Sequence, residues 1–232
     1  MRAAGVHRRG RTRRPLDALI VATYVLIHGA GSDSWYWHLV VPRLQALGHD
    51  TVAVDLPCDD DAAGLEEYVE TVVDAIGDRT DVILVAQSLA GFTAPLVCER
   101  VAVKLMVLVA AMVPRPGESA GEWWGNTGHE FPEPFDPAVV FTHDLTPELA
   151  AASGEHVREQ SQTPFAEPWP LDRWPAVPTR FLLCRDDRFF PVEFQQRLAR
   201  ERLGVEADVL PGGHLLALTQ PDALAERLTS NR

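Results

Sequence analysis

Short apolar runs alternate along the chain with longer segments in which apolar residues recur at helical spacing. The short runs are rich in β-branched and aromatic residues, which predicts buried strands. We place these strands at residues 19–27, 51–54, 82–86, 104–109, 180–184 and 207–210. The amphipathic segments predict helices at residues 35–47, 65–76, 88–100, 193–203 and 221–228. Strands that alternate with helices in this way predict βαβ units and a mostly parallel central sheet flanked by helices.

The stretch from Met112 to Pro178 breaks the alternation and is rich in Pro and Gly. An insertion this long between two strands of one sheet is typical of a functional lid rather than of a plain connection. We therefore predict one domain, residues 19–232, with a lid insertion at about 112–178. Within it, Trp123 and Trp124 are candidate substrate-binding residues; the alternative is that the insertion's tryptophans only cover sheet edges.

Length, charge and cysteine content narrow the class of protein. A chain of 232 residues with 46% hydrophobic residues suits a single globular domain with a sizeable core. The net charge of −12 repels phosphate backbones and anionic lipids, so we expect neither nucleic-acid nor membrane partners. Three cysteines without metal-ligand spacing fit a reducing cytosol, and we expect a cytoplasmic protein. The sequence does not decide whether the protein forms a homo-oligomer. Twenty arginines against one lysine suggest a high-GC bacterial genome.

The first eighteen residues differ from the rest of the chain, because the tail carries six arginines against the single acid Asp17. Two arginine pairs resemble a twin-arginine export signal, but Asp17 interrupts the segment that follows. The apolar stretch from Ala18 to Ile27 also runs straight into His28 without a small-residue cleavage site. We predict a disordered basic tail over residues 1–18, or an upstream extension of the true start.

The segment around Ser88 carries the strongest chemical signal. A strand runs directly into Ala86-Gln87-Ser88-Leu89-Ala90, which is the small-x-Ser-x-small pattern of a nucleophile elbow. Small residues two positions away on either side avoid clashes at the strained strand-to-helix turn. The alternative is a serine that only caps a helix after a strand.

Backbone amides at two loops are candidates for an oxyanion hole. His28-Gly29-Ala30-Gly31 closes the first strand, and its flat backbone can offer the Ala30 amide to a substrate oxygen. The Leu89 amide, directly after the candidate nucleophile, would be the second donor. The alternative is a glycine-rich turn that merely starts the next helix; a phosphate loop is excluded, because the Lys-Ser/Thr ending is missing.

Two further loops supply an acid and a base. Asp186 and Asp187 follow the strand at 180–184, although both could simply pair with flanking arginines. His214 follows two glycines after the last strand, which free the backbone to swing the imidazole over the sheet edge. The order Ser88, Asp187, His214 is that of α/β-hydrolases and not that of chymotrypsin or subtilisin. Glu118 is the next candidate for the acid.

Over roughly residues 20–230 the chain resembles the α/β-hydrolase superfamily. Several motifs resemble its plant methylesterase and hydroxynitrile lyase branch; they are His28-Gly29-Ala30-Gly31, Trp35-Tyr36-Trp37, Leu47-Gly48-His49, Val54-Asp55-Leu56, Val113-Pro114 and Glu193-Phe194-Gln195. Members similar to this chain place three residues between the triad acid and a proline, which implies Asp187 before Pro191. They usually carry His-Ser at the elbow, where this chain has Gln87.

The resemblance implies a serine hydrolase that works without cofactor. Because the tryptophans of the insertion suggest an apolar pocket, we expect a small to medium, apolar ester as the substrate. Lyases of the branch use a threonine after the first-strand histidine and a lysine after the triad histidine; this chain has Gly29 and Leu215 there. The missing ammonium favours hydrolysis over cyanohydrin cleavage. A slow or inactive ligand receptor on the same fold is the other alternative. A metal site at His129 or at His143 and Asp144 is disfavoured.

The basic tail generates a first prediction. A chain that begins at Ala18 should keep its fold and activity, because an unpacked tail contributes few contacts. Thermal melting and ester turnover of the shortened and full-length chains would check this. A melting temperature lowered by several degrees would show that the tail is packed.

Overall fold

A computed structural model describes residues 21–230, so the predicted basic tail lies outside the described residues. Six parallel strands form one sheet in the order β2-β1-β3-β4-β5-β6. The strands are β1 (Thr23–Ile27), β2 (Asp50–Val54), β3 (Val82–Gln87), β4 (Val103–Val109), β5 (Thr179–Cys184) and β6 (Asp208–Leu210). Every neighbouring pair is parallel, so the predicted parallel α/β architecture is confirmed.

Helices join the strands and cover the sheet. They are α1 (Val41–Ala46), α2 (Leu65–Ile76), α3 (Ala94–Val97), α4 (Ala120–Thr127), α5 (Pro137–Val140), α6 (Pro147–Glu155), α7 (Thr163–Ala166), α8 (Val192–Leu203), α9 (Leu216–Thr219) and α10 (Pro221–Thr229). Helices α4 to α7 all belong to the insertion between β4 and β5. No helix within residues 21–230 is both long and apolar enough to span a membrane.

Two predicted helices are shorter than expected, and proline explains both. The predicted helix at 35–47 is a 3₁₀ turn at Ser34–Trp37 followed by α1, which has Pro42 in its first turn. The predicted helix at 88–100 likewise begins as a 3₁₀ turn and resumes as α3, with Pro95 in the first turn. Proline lacks the amide hydrogen that a helix interior needs, so each α-helix begins beside its proline.

The order of strands fixes where a site can form. The chain adds β2 on one side of β1 and then returns to add β3 on the other side. Ile27 at the end of β1 is therefore in register with Ala86 near the end of β3. In open parallel sheets, ligands bind at such a switch point, outside the carboxyl ends of the strands. The segments that follow Ile27 and Ala86 are the two loops predicted to carry the oxyanion amides and the nucleophile.

Two buried tryptophans pack the insertion against the rest of the domain, Trp123 against Phe194 of α8 and Trp169 against the segment that follows β3. Trp123 and Trp169 have 0% and 1% of their surface exposed. The Trp123 indole N–H donates to the Val113 carbonyl at 3.0 Å, and that of Trp169 donates to the Phe92 carbonyl at 3.1 Å. Burying side chains of this size stabilises the fold by several kcal/mol each relative to truncation to alanine. These two tryptophans hold the insertion to the domain; the lid function of the insertion stays a prediction.

A buried ion pair ties the start of the insertion to α8. Glu118 and Arg202 side chains are 4% and 3% exposed, and the guanidinium also donates to the Val113 carbonyl at 2.6 Å. Burial alone would raise the pKa of Glu118, but hydrogen bonds from Arg202 and Asn126 bring that pKa below its usual value. This carboxylate is therefore fully occupied and does not face His214, so the structure gives no support to Glu118 as the alternative triad acid.

Glu118→Ala should lower the free energy of unfolding by about 3–5 kcal/mol, because it leaves Arg202 buried without its partner. Glu206→Ala is the matched control, since it removes an exposed carboxylate 3.6 Å from Arg200 and should cost no more than ~1 kcal/mol. Urea unfolding at neutral pH measures both. Because the folded-state pKa of Glu118 is lowered, its contribution is present at neutral pH and is lost as pH falls below the usual glutamate range. Equal losses in the two variants would contradict this account.

Candidate active site

Ser88 occupies a strained turn between β3 and the helical segment that follows it. Its φ of 53° lies in the left-handed region, which costs a non-glycine residue of order 1–3 kcal/mol. The Ser88 carbonyl accepts a hydrogen bond from the Met112 amide at 2.9 Å, which holds the turn against the end of β4. A Cβ at Gly91 would lie 1.8 Å from the Met112 carbonyl oxygen, so this approach requires glycine. Ser88 itself is half-buried.

The three predicted triad residues meet at the carboxyl edge of the sheet. Ser88 Oγ lies 3.2 Å from His214 Nε2, and His214 Nδ1 lies 2.8 Å from Asp187 Oδ2. The side chains of His214 and Asp187 are only 5% and 0% exposed. A serine, an imidazole and a buried carboxylate thus form one continuous chain of hydrogen bonds.

The Asp187 carboxylate is held from both sides. Its other oxygen, Oδ1, accepts hydrogen bonds from the amides of Phe189 and Phe190 at 2.8 and 2.9 Å. Gln195 on α8 braces the same loop: its side-chain amide donates to the carbonyls of Cys184 and Phe190 and accepts from the Cys184 amide. The fully buried Gln195 lies in a motif quoted above for the resemblance, but its role is visible only in the folded chain.

Asp186 points away from the imidazole, as expected for adjacent side chains on a loop. It pairs with the neighbouring Arg185 at 2.9 Å, and its Oδ2 accepts from the Gly212 amide at 2.9 Å. These bonds lower the pKa of Asp186. The structure therefore brings Asp187 and not Asp186 to His214.

The two candidate oxyanion donors flank the serine. Within residues 21–230, the amides of Ala30 and Leu89 donate no hydrogen bond to another protein group. His28 fixes the first of these loops from below: its Nε2 accepts from the Leu56 amide at 3.1 Å and its Nδ1 donates to the Gly29 carbonyl at 2.7 Å. Burial lowers the pKa of His28, which keeps it neutral and able to make both bonds. The role of the Ala30 and Leu89 amides as an oxyanion hole stays a prediction.

The insertion also contacts this loop. Gly31, with a φ of 61°, donates its amide hydrogen to Gln160 Oε1 at 3.0 Å, and its carbonyl accepts from the Arg158 amide at 3.0 Å. The Arg158 guanidinium further donates to the Leu56 carbonyl at 3.0 Å. No sequence signal marks these partners, because they are polar residues 127 or more positions away from Gly31 that act on backbone atoms.

Gln87 packs between the serine and the histidine loop. Its Nε2 donates to the His214 carbonyl at 3.3 Å. A Cβ on Gly29 would lie 2.3 Å from Gln87 Oε1 and 2.8 Å from Ser88 Cβ. The side chain of Gln87 therefore occupies the space that a larger residue at position 29 would need.

Three phenylalanines pack around the imidazole of His214. The rings of Phe141, Phe189 and Phe190 lie 5.4, 5.4 and 5.1 Å from the His214 ring. Trp124 is half-buried and packs behind them, 5.7 Å from Phe189. Trp123 is fully buried and presents no surface to a ligand in this structure. Substrate binding by Trp123 and Trp124 stays a prediction, and no pattern in the sequence marked the three phenylalanines.

Metal-ligating side chains do not gather in the part of the chain that the structure describes: no group of three is close enough to hold an ion. His129 Nε2 is hydrogen-bonded to the Phe189 carbonyl at 2.7 Å, and burial lowers its pKa. His143 and Asp144 lie against the glycine loop before His214.

A serine at a positive-φ turn after the third strand, facing a histidine after the last strand, is the arrangement of an α/β-hydrolase. The chain belongs to this class: the model of the alpha/beta hydrolase family matches residues 24–227.

Relatives extend along nearly the whole chain. The chain is 26% identical to salicylic acid-binding protein 2 of Nicotiana tabacum, over 88% of this chain and 95% of that protein. It is 25% identical to methylesterase 7 of Arabidopsis thaliana, over 88% and 94%. A pyrethroid hydrolase from Sphingobium faniae superposes with a TM-score of 0.74 at 22% identity, over 90% and 96%. The predicted resemblance to the plant methylesterase branch is thus confirmed.

Proposed function

We propose that the protein hydrolyses a small to medium, apolar carboxylic ester through an acyl-enzyme formed on Ser88. The observation that carries this proposal is the hydrogen-bonded chain from Ser88 Oγ through His214 to Asp187. Names of relatives agree with it, since methylesterase 7 and the pyrethroid hydrolase are both named for hydrolytic activity.

The geometry supports a definite sequence of proton transfers. His214 Nε2 takes the proton of Ser88 as its oxygen attacks the ester carbonyl, and the imidazolium then protonates the leaving alkoxide. Asp187 holds the proton on Nδ1 and stabilises the imidazolium. The amides of Ala30 and Leu89 would receive the oxyanion, each lowering the barrier by roughly 2.7–4 kcal/mol. Water activated by His214 then releases the acid and restores Ser88. No step needs a cofactor.

Other nucleophiles are poorer candidates. Burial raises the pKa of the Cys58 and Cys98 thiols, the latter to about 12, and raises that of Cys184 well above its usual value. At neutral pH these sulfurs stay protonated and unreactive. Ser88 alone among the candidates has a general base within hydrogen-bond distance.

The lyase alternative is disfavoured by the space around position 29. A threonine there, as in the lyases that resemble this chain, would collide with Gln87 Oε1 and with Ser88 Cβ. Leu215 further replaces the lysine that would stabilise cyanide. The receptor alternative keeps some support from salicylic acid-binding protein 2, whose name records binding rather than turnover. A fully hydrogen-bonded triad favours an enzyme over a receptor.

Phe141, the half-buried ring that lies 5.4 Å from the His214 ring, supports an apolar acyl or alcohol group next to the reacting carbonyl. Such a substrate stays a prediction from the sequence. The same holds for a cytoplasmic location, for the expected absence of nucleic-acid and membrane partners, and for a possible homo-oligomer.

A fluorophosphonate probe should label Ser88, and Ser88→Ala should abolish labelling and lower ester turnover by at least ~10³-fold, because triad residues act as a unit. Mass spectrometry of the labelled peptide identifies the labelled serine. A screen of p-nitrophenyl esters of different chain length measures ester turnover. A cyanohydrin run in parallel tests for cyanide release. Labelling of another serine, or a wild-type chain that turns over no ester, would contradict the proposed function.

Asp187→Asn should lower ester turnover by up to ~10⁴-fold without unfolding the chain, because an amide favours the wrong tautomer of His214. Asp186→Asn is the matched control: its amide oxygen can still accept from Gly212, and loss of the exposed pair with Arg185 should cost at most ~1 kcal/mol. Both variants are assayed on one ester at neutral pH. Greater impairment of Asp186→Asn would mean that the neighbouring carboxylate is the triad acid.

A further inference from the structure

The loop that carries His214 cannot hold itself in place. Gly212 and Gly213 precede the histidine, and Gly212 has a φ of 119°, which other residues rarely adopt. Two successive glycines offer no side chains for packing and have the greatest backbone freedom. The position of the imidazole must therefore be fixed by contacts from outside the loop.

Three successive residues of this loop are each held by a side chain from a different part of the fold. Asp186, after β5, accepts from the Gly212 amide at 2.9 Å. Asp144, between α5 and α6 of the insertion, accepts from the Gly213 amide through Oδ2 at 2.6 Å. Gln87, before the nucleophile, donates to the His214 carbonyl at 3.3 Å.

Of these three side chains, Asp144 is the one that belongs to the insertion, and it packs closely against Gly213. The Asp144 side chain is only 22% exposed. A Cβ on Gly213 would lie 2.8 Å from Asp144 Oδ1 and 3.0 Å from His143 Nε2, so the insertion rests directly on the glycine backbone. The neighbouring His143 is nine-tenths buried, and its Nε2 lies 4.0 Å from Asp144 Oδ1. The Asp144 carboxylate is thereby held against Gly213, the residue directly before His214.

We infer that Asp144 is a positioning residue for His214, in addition to the triad. It acts through the Gly213 amide and touches neither substrate nor the reacting atoms, and the inference rests on the hydrolysis proposed above. Because Asp144 belongs to the insertion, the position of the general base His214 depends on how the insertion packs against the His214 loop. A general base displaced by about 1 Å costs on the order of 10²-fold in rate.

A role in positioning and a merely structural role predict different kinetics. If Asp144 places the base, its loss lowers kcat and leaves KM nearly unchanged, because substrate still binds. If Asp144 only holds the insertion over the substrate, its loss raises KM instead. An asparagine at this position keeps an oxygen acceptor for the Gly213 amide, so it should restore most of kcat in the first case.

The experiment compares Asp144→Ala, Asp144→Asn and Glu148→Ala on one p-nitrophenyl ester, with melting temperatures for each. Glu148 is an exposed carboxylate in the first turn of α6, so its removal matches the lost charge without touching the loop. We expect Asp144→Ala to lower kcat by ~10- to 100-fold, Asp144→Asn to stay near wild type, and Glu148→Ala to be unaffected. Hydrogen exchange at the Gly213 amide should quicken in Asp144→Ala alone.

Several results would overturn the inference. They are an unchanged kcat in Asp144→Ala, an effect confined to KM, or an asparagine variant as impaired as the alanine variant. A wild-type chain without ester turnover would instead contradict the proposed function. The two failures are therefore distinguishable, and exchange at Gly213 reports the contact independently of any substrate.

Discussion

The left-handed backbone of Ser88 is the constraint on which the rest of the site depends. A turn of this kind stores strain of order 1–3 kcal/mol, and it persists only where the surroundings leave no alternative. Here the Met112 amide holds the serine carbonyl, and Gly91 lets the following segment touch the end of β4. Buried alanines on both sides of the serine complete the enclosure. Packing of the surrounding sheet offsets this strain, and the turn places the Ser88 hydroxyl 3.2 Å from His214 Nε2.

Local patterns are sufficient to predict the sheet and to place the candidate triad residues just after strand ends. Each triad residue follows a strand, and strand ends are recognisable from apolar runs that stop at glycine, proline or aspartate. The choice of Asp187 over Asp186 is what the family resemblance implies, through the spacing to Pro191; in the folded chain Asp187, and not Asp186, lies 2.8 Å from His214 Nδ1. Prediction worked where the chemistry is encoded in neighbouring residues.

Prediction failed where a side chain acts on distant backbone atoms. Gln160 and Asp144 hold Gly31 and Gly213 from 129 and 69 residues away, and any polar residue of similar reach would look the same in the sequence. The rings that pack around His214 were not predicted for a related reason. Trp123 is prominent in the sequence but packs in the core, whereas Phe141 reaches His214 only through the path of the insertion. Two helices are shorter than their apolar pattern predicts, because Pro42 and Pro95 fix where each α-helix begins.

The contact between Gln87 and Gly29 has a consequence for how this scaffold can change its chemistry. Because the two positions share one volume, substitutions at them should be strongly non-additive, with a coupling energy of 0.5–3 kcal/mol typical of residues in contact. A β-branched residue at 29 would also meet Ser88 Cβ, so it is admitted only when the residue at 87 becomes smaller or turns away and the nucleophile turn itself shifts. A change from hydrolase to lyase chemistry on such a chain would therefore need concerted changes around the nucleophile rather than one substitution at position 29.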